Sequence, residues 1–295
     1  MNELMKANKH KKLCFSVTPD IKRIIKQALV EDVGTGDVTT IALIDKKERA
    51  KAVILAKEDC IVSGTIIAEL VFKTLDKNLQ VTIKINDGNK AKRNTIVMEI
   101  AGNARAILTA ERTALNFLQR MSGIATLTHR FVTKCANSRV RILDTRKTTP
   151  GMRILEKYAV VCGGGVNHRM GLFDAILIKD NHKVLWKKKG LSLAEMVITA
   201  RKKFPRTMIE IEVENIEELK SVLPARPDWI LLDNMSPSQL KRCVELCNHE
   251  CKLEASGGVT LKNIEEIART GVDAISIGGL THSAPSIDFS LEIVS

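Results

Sequence analysis

Aromatic residues are scarce in this chain: 7 Phe, 2 Trp and 1 Tyr among 295 residues. That scarcity argues against base stacking, so the net charge of +12 does not by itself indicate a nucleic-acid binder, although it does suggest an anionic partner. No apolar run approaches the ~20 residues that span a bilayer. The opening Met1–Lys12 stretch is charged and has no apolar segment of the signal-peptide kind, so a cytoplasmic protein with no membrane partner is expected. Seven cysteines, an odd number without regular spacing, argue against a disulfide framework. Cys243 and Cys247 fall one helical turn apart on a stripe with Leu240, with Cys251 beyond them; CxxC spacing is absent, and the trio reads as core packing rather than a metal site. The short basic runs at 10–12 and 187–189 read as solvated surface.

What is present is a rhythm. Short apolar runs at Val140–Asp144, Ala175–Lys179, Met208–Val213, Trp229–Asp233, Cys251–Ala255 and Ala274–Ile277 read as strands. Amphipathic stretches at Leu193–Lys203, Ile216–Leu223, Pro237–Cys247 and Leu261–Thr270 read as helices between them. The last three strand ends, at 233, 255 and 277, are spaced by 22 residues, which points to parallel βα units and an α/β fold: a (β/α) barrel, complete or incomplete. The first ~110 residues differ. Helical signals at Ile21–Val30 and Ile66–Leu75 mix with strand-like runs at Lys51–Leu55, Val81–Ile85 and Ile96–Ile100, an α+β module, and Glu111–Cys135 reads as one joining helix or two.

In a parallel barrel the carboxyl ends of the strands share one face, and chemistry gathers there. Here those ends are charged: Arg146 and Lys147 after the first strand, Lys179 after the second, Glu210, Glu212 and Glu214 along the third, Asp233 after the fourth. The bland alternative is that polar residues simply end strands. Four consecutive charged ends followed by two glycine ends, Ser256-Gly257-Gly258 and Gly278-Gly279, favour a site. Alternate residues share a face of a strand, so the glutamates should point inward, opposite Ile209, Ile211 and Val213. Buried acids need cations, and Arg146, Lys147, Arg169 and Lys179 are available. The glycine pairs suit phosphate, with Thr260 placed to cap a following helix.

At these residues the sequence resembles the quinolinate phosphoribosyltransferases, also called nicotinate-nucleotide pyrophosphorylases (carboxylating). The motifs are Glu31-Asp-Val-Gly-Thr-Gly-Asp37, Glu111-Arg-Thr-Ala-Leu-Asn-Phe117, Asp144-Thr-Arg-Lys-Thr-Thr-Pro-Gly151, Gly163-Gly-Gly-Val-Asn-His-Arg-Met170, Leu177-Ile-Lys-Asp-Asn-His182, Leu231-Leu-Asp-Asn234 and Glu254-Ala-Ser-Gly-Gly258. The resemblance runs in order over nearly the whole chain. It implies an α+β N-terminal domain (1–112, joined by 281–295) and an open-barrel catalytic domain (113–280). It also implies a homodimer, or a higher oligomer built from one, with active sites shared between subunits. The activity implied is conversion of quinolinate and phosphoribosyl pyrophosphate to nicotinate mononucleotide, pyrophosphate and CO2 in NAD biosynthesis, with Mg2+.

Carried over residue by residue, the resemblance gives quinolinate to Arg146, His168, Arg169 and Lys179, with Arg112 from the partner subunit. Lys147 lies between the substrates, Glu212 and Asp233 hold the ribose hydroxyls and the metal, and Ser256, Gly257, Gly258, Gly278 and Gly279 hold the phosphate. Rival readings are a relative acting on another small acid (a molybdenum-associated paralogue or a nicotinate-type transferase) and a basic nucleic-acid-binding protein. The paired cations favour a dicarboxylate over the first, and the scarce aromatics argue against the second.

Overall fold

The computed structural model describes residues 15–294, so the charged opening stretch and the basic run at 10–12 lie outside the described residues. The chain elements are α1 (Pro19–Val33), α2 (Val38–Leu43), β1 (Arg49–Ala56), β2 (Cys60–Ile61), α3 (Thr65–Leu75), β3 (Gln80–Ile83), β4 (Lys90–Ala91), β5 (Ile96–Asn103) and α4 (Ala104–Lys134). There follow β6 (Arg141–Leu143), α5 (Arg153–Cys162), β7 (Ile176–Ile178), α6 (Asp180–Lys187), α7 (Leu193–Lys203), β8 (Ile209–Val213), α8 (Ile216–Val222) and β9 (Trp229–Asp233). The chain ends through α9 (Pro237–Cys247), β10 (Lys252–Ser256), α10 (Ile264–Ala268), β11 (Ala274–Ser276), α11 (Gly279–His282) and β12 (Phe289–Val294). No described helix is long and apolar enough to cross a membrane.

Two compact units emerge. The first comprises the chain up to His129, Thr148–Gly164 and everything from Gly279 on; the second comprises Arg130–Lys147 and Gly165–Gly278. The boundary placed at 112/113 from sequence falls inside α4, which runs unbroken from Ala104 to Lys134. Gly123 does not interrupt that helix; a Cβ there would stand 2.0 Å from the Pro285 carbonyl, so glycine is what lets the segment after α11 approach.

The first unit is built on an antiparallel sheet in the order β12-β1-β5-β3. β12 pairs with β1 over Phe289–Val294, more than 230 residues away in sequence. α1 starts with Pro19 behind the Thr18 cap, stops at Gly34, and buries Ile21, Ile25 and Leu29 along one face. Arg120 of α4 binds Glu156 of α5 at 2.8 Å and donates to the carbonyls of Ala284, at 2.9 Å, and Thr281. Glu156 is fully buried, and Thr149 completes its shell through N–H and hydroxyl. Three distant stretches of chain are thereby tied at one ion pair, whose rupture would strand a buried charge.

The second unit is a six-stranded sheet in the order β6-β11-β10-β9-β8-β7. Every pairing among these strands is parallel. Read round the ring, the strands follow chain order with a single break between β6 and β7: an open (β/α) barrel. Among the described residues, Val166 alone bridges to β6 on that side. All five residues of β8 are buried, the glutamates Glu210 and Glu212 included, as a strand covered on both faces requires. Glu214, expected on the same inward face, lies past the strand end and is exposed. α9 buries Leu240, Cys243 and Cys247 on one stripe, and Cys251 is buried beside them, its sulfur 3.3 Å from that of Cys247.

Candidate active site

The carboxyl ends of the six barrel strands carry the charged residues singled out from sequence. Lys179 directly follows β7 and its Nζ lies 3.9 Å from Glu212 Oε2 on β8. Asp233 ends β9 and accepts from Asn234 Nδ2 at 2.8 Å. Burial pushes the Glu212 carboxyl up; Lys179 opposes this, while the charge of Asp233 adds to it. Asp233 is likewise raised by burial, against a hydrogen bond from Asn234 and the charges of Lys179 and Lys147. Two acids on adjacent strands therefore share a partly enclosed patch that two lysines balance only in part.

The same barrel unit carries a basic group. Arg169 is held by its Nη1 on the Ala175 carbonyl at 3.0 Å. Burial and then the neighbouring charge of Arg146 lower its pKa, while Glu210 and Asp174 oppose the shift. His168 does not turn its ring nitrogens outward. Nε2 lies 2.9 Å from Glu210 Oε2 and 3.5 Å from Glu254 Oε2, and Nδ1 accepts from the Arg169 amide at 2.7 Å. The His168 amide in turn donates to the buried Asp144 at 2.9 Å.

The glycine turns are present but differ from expectation. Gly257 and Gly258 both take positive φ, 91° and 60°, yet they do not open a helix: α10 begins only at Ile264. Thr260 and Asn263 bond one another through their side chains and spend their capping capacity on a turn, which delays the helix beyond the expected Leu261. Gly278 follows β11 after Ile277, and Gly279 opens α11 in the first unit.

Arg146, Lys147, His168, Arg169, Lys179, Glu212, Asp233, Ser256, Gly257, Gly258 and Gly278 thus all belong to one barrel unit, at or after strand ends. Arg112 does not; it is exposed on α4 of the other unit. Sequence reasoning gave no role to Glu254 or Asn234. Glu254 was legible in principle: on β10 it alternates with Ser256 and so shares its face. Asn234 carries a weaker signal, a positive φ of 53° that asparagine tolerates.

Fold and site together define an open (β/α) barrel whose strand ends carry a basic group and an acidic pair. Two family models account for most of the chain: the quinolinate phosphoribosyl transferase N-terminal domain over residues 37–122 and the C-terminal domain over 124–292. The chain belongs to this family. It is 42% identical over 300 residues to the chloroplastic nicotinate-nucleotide pyrophosphorylase (carboxylating) of Arabidopsis thaliana, covering 94% of this chain and 83% of that one. It is 43% identical to the mitochondrial quinolinate phosphoribosyltransferase (decarboxylating) 2b of Nicotiana tabacum, with the same coverage. The solved nicotinate-nucleotide pyrophosphorylase of Francisella tularensis superposes with a TM-score of 0.89 at 39% identity, covering 96% of this chain and 99% of that one.

Proposed function

We propose that the protein joins quinolinate to the ribose of phosphoribosyl pyrophosphate, giving nicotinate mononucleotide, pyrophosphate and CO2, a step that feeds NAD synthesis. The observation that carries this reading is that one barrel's strand ends carry Lys179 3.9 Å from Glu212, Asp233 near enough to raise that acid, and Arg146 near enough to Arg169 to lower it. Two mutually repelling anionic substrates need cations around the diacid, and arginine suits carboxylates because its planar fork binds them in two places. Lys147, whose charge reaches Asp233, sits where both substrates meet.

The donor set also suits Mg2+. Glu212 and Asp233 are hard oxygen donors on neighbouring strands, and Asp233's charge makes ionisation of Glu212 harder, so a cation there relieves their repulsion. These two residues would hold it directly or through water, and it would offset the charge that gathers on the departing pyrophosphate. The ribose carbon gains positive character as its bond to pyrophosphate breaks, and the carboxylates of Glu212 and Asp233 stabilise that charge. Arg146, Arg169 and Lys179 hold the pyridine acid so that its ring nitrogen faces this carbon. The new C–N bond makes the ring nitrogen cationic. The adjacent carboxylate then leaves as CO2, its bonding pair stays on the ring carbon, and that carbon takes a proton.

Ser256, Gly257, Gly258, Gly278 and Gly279 would accept the 5′-phosphate on their amides, since the glycines leave the backbone open to an anion. The working unit would be a homodimer in the cytoplasm, with Arg112 of one subunit reaching the quinolinate pocket of the other. The test is release of pyrophosphate from phosphoribosyl pyrophosphate and Mg2+, with quinolinate, with nicotinate, or with neither. Release that requires quinolinate is expected; release with nicotinate alone, or none, would sink the assignment.

A further inference from the structure

We infer that Glu210 and Glu254 are positioning residues of the diacid pocket: they hold the His168 ring so that it fixes the backbone from which Arg169 projects. This rests on the function proposed above and adds two residues to it.

The segment 168–171 has no helix or strand to define it. Its four consecutive amides are instead each tied to a side chain. His168 N donates to Asp144 Oδ1, Arg169 N to His168 Nδ1, and Met170 N and Gly171 N to Asp174, at 2.9, 2.7, 2.7 and 3.0 Å. The orientation of Arg169 thus depends on where the imidazole stands. That ring is anchored in turn by Glu210 of β8 at 2.9 Å, with Glu254 of β10 at 3.5 Å, so two interior strands set its place.

Stability gives no reason for the two acids. Each is 1% exposed, and Glu210 Oε1 and Glu254 Oε1 have no hydrogen-bond partner among the described residues. Buried carboxyl oxygens without partners cost free energy that an apolar pair of similar size would not. Their charge instead serves the pocket, because Glu210 is an attractive charge for Arg169, which burial and Arg146 disfavour.

The proton arrangement is consistent with this role. An Nδ1 that accepts the Arg169 amide leaves the ring proton on Nε2, directed at Glu210.

The test is steady-state kinetics of wild type, E254Q and E210Q with both substrates varied, alongside thermal unfolding. KM for quinolinate should rise by about tenfold or more, KM for phosphoribosyl pyrophosphate should stay within about twofold, and the melting temperature should hold or rise. A fall in melting temperature with quinolinate KM unmoved would overturn the positioning role, as would an equal rise in both KM values. In a cycle with R169A, E254Q should cost much less than it does in the Arg169 background; full additivity would overturn action through Arg169.

His168, Glu210 and Glu254 also have donor atoms within 4.8 Å of one another, spacing that suits a metal ion. Elemental analysis of dialysed wild type and E254Q therefore accompanies the kinetics; a stoichiometric metal lost in E254Q would replace positioning with metal binding. Quinolinate dependence of the wild type is measured first in the same assay. Its absence sinks the assigned reaction, whereas its presence with unaltered variants sinks only the positioning role.

Discussion

Burial and the charge of Arg146 disfavour the charge of Arg169, and an anion placed between the two arginines reverses that penalty. Arg146→Ala should therefore cost about 2–4 kcal/mol of transition-state binding, which is roughly a 30- to 900-fold loss in kcat/KM for quinolinate. Kinetics unchanged within twofold would place Arg146 outside the site. Glu210 allows a prediction about stability rather than rate. Its carboxyl is raised from 4.5 to about 7 by burial and Glu254, so the folded protein keeps a proton that the unfolded chain releases between those values. Stability from that proton is complete below pH 4.5 and is lost as pH rises through 7. Glu210→Gln has no proton to lose. Its stability should lie near that of wild type at pH 4.5 and exceed it by a growing margin up to pH 7, on the order of 1–3 kcal/mol. Thermal unfolding across this range would show a constant offset if Glu210 kept an ordinary pKa.

Between residue and molecule, the junction of β9 and β10 shows how one strand end shapes the next. Asn234, left-handed at φ 53°, donates its backbone N–H to Ser256 at 2.9 Å and its side-chain amide to Asp233. A Cβ on Gly257 would stand 2.0 Å from Asn234 Oδ1. Gly257→Ala should thus lower stability by about 1–3 kcal/mol through clash and positive φ, and should raise KM for phosphoribosyl pyrophosphate. Adding Asn234→Gly should recover part of the lost stability in urea unfolding; strict additivity would mean the clash is absent. Elements like these were legible where local chemistry marks both ends. α7 and α9 run over the expected residues because Ser192 with Glu195 and Ser236 with Gln239 form capping boxes. β9 likewise matches, as an apolar run between Asp228 and Asn234. Less was legible where partners are remote: β12 finds β1 across the chain, and the approach of the segment after α11 to α4 depends on Gly123. In the site, the charged strand ends could be read from spacing. The inward turn of the His168 ring could not, since it depends on two glutamates from other strands.

For the molecule as a whole, net charge and subunit organisation make separate claims. A balance of +12 favours approach of anionic substrates, but the residues proposed to hold quinolinate are not all carried by one compact unit: Lys179 belongs to the barrel and Arg112 to the other. If Arg112 serves the pocket of a partner subunit, Arg112→Ala and Lys179→Ala each disable every site in their own homodimer, but by different routes. A heterodimer of the two variants then has one pocket with both defects and one with neither. Equal mixing with free exchange makes half of the dimers mixed, so about a quarter of wild-type activity should return. The recovered activity should show the wild-type KM for quinolinate, because the restored pockets are intact rather than partly repaired. Subunits joined before purification, by co-expression with two tags, remove any doubt about exchange. A tagged heterodimer without activity would mean that Arg112 acts within its own chain or lies outside the pocket, whereas activity at about half the wild-type level per dimer would establish that the site is shared.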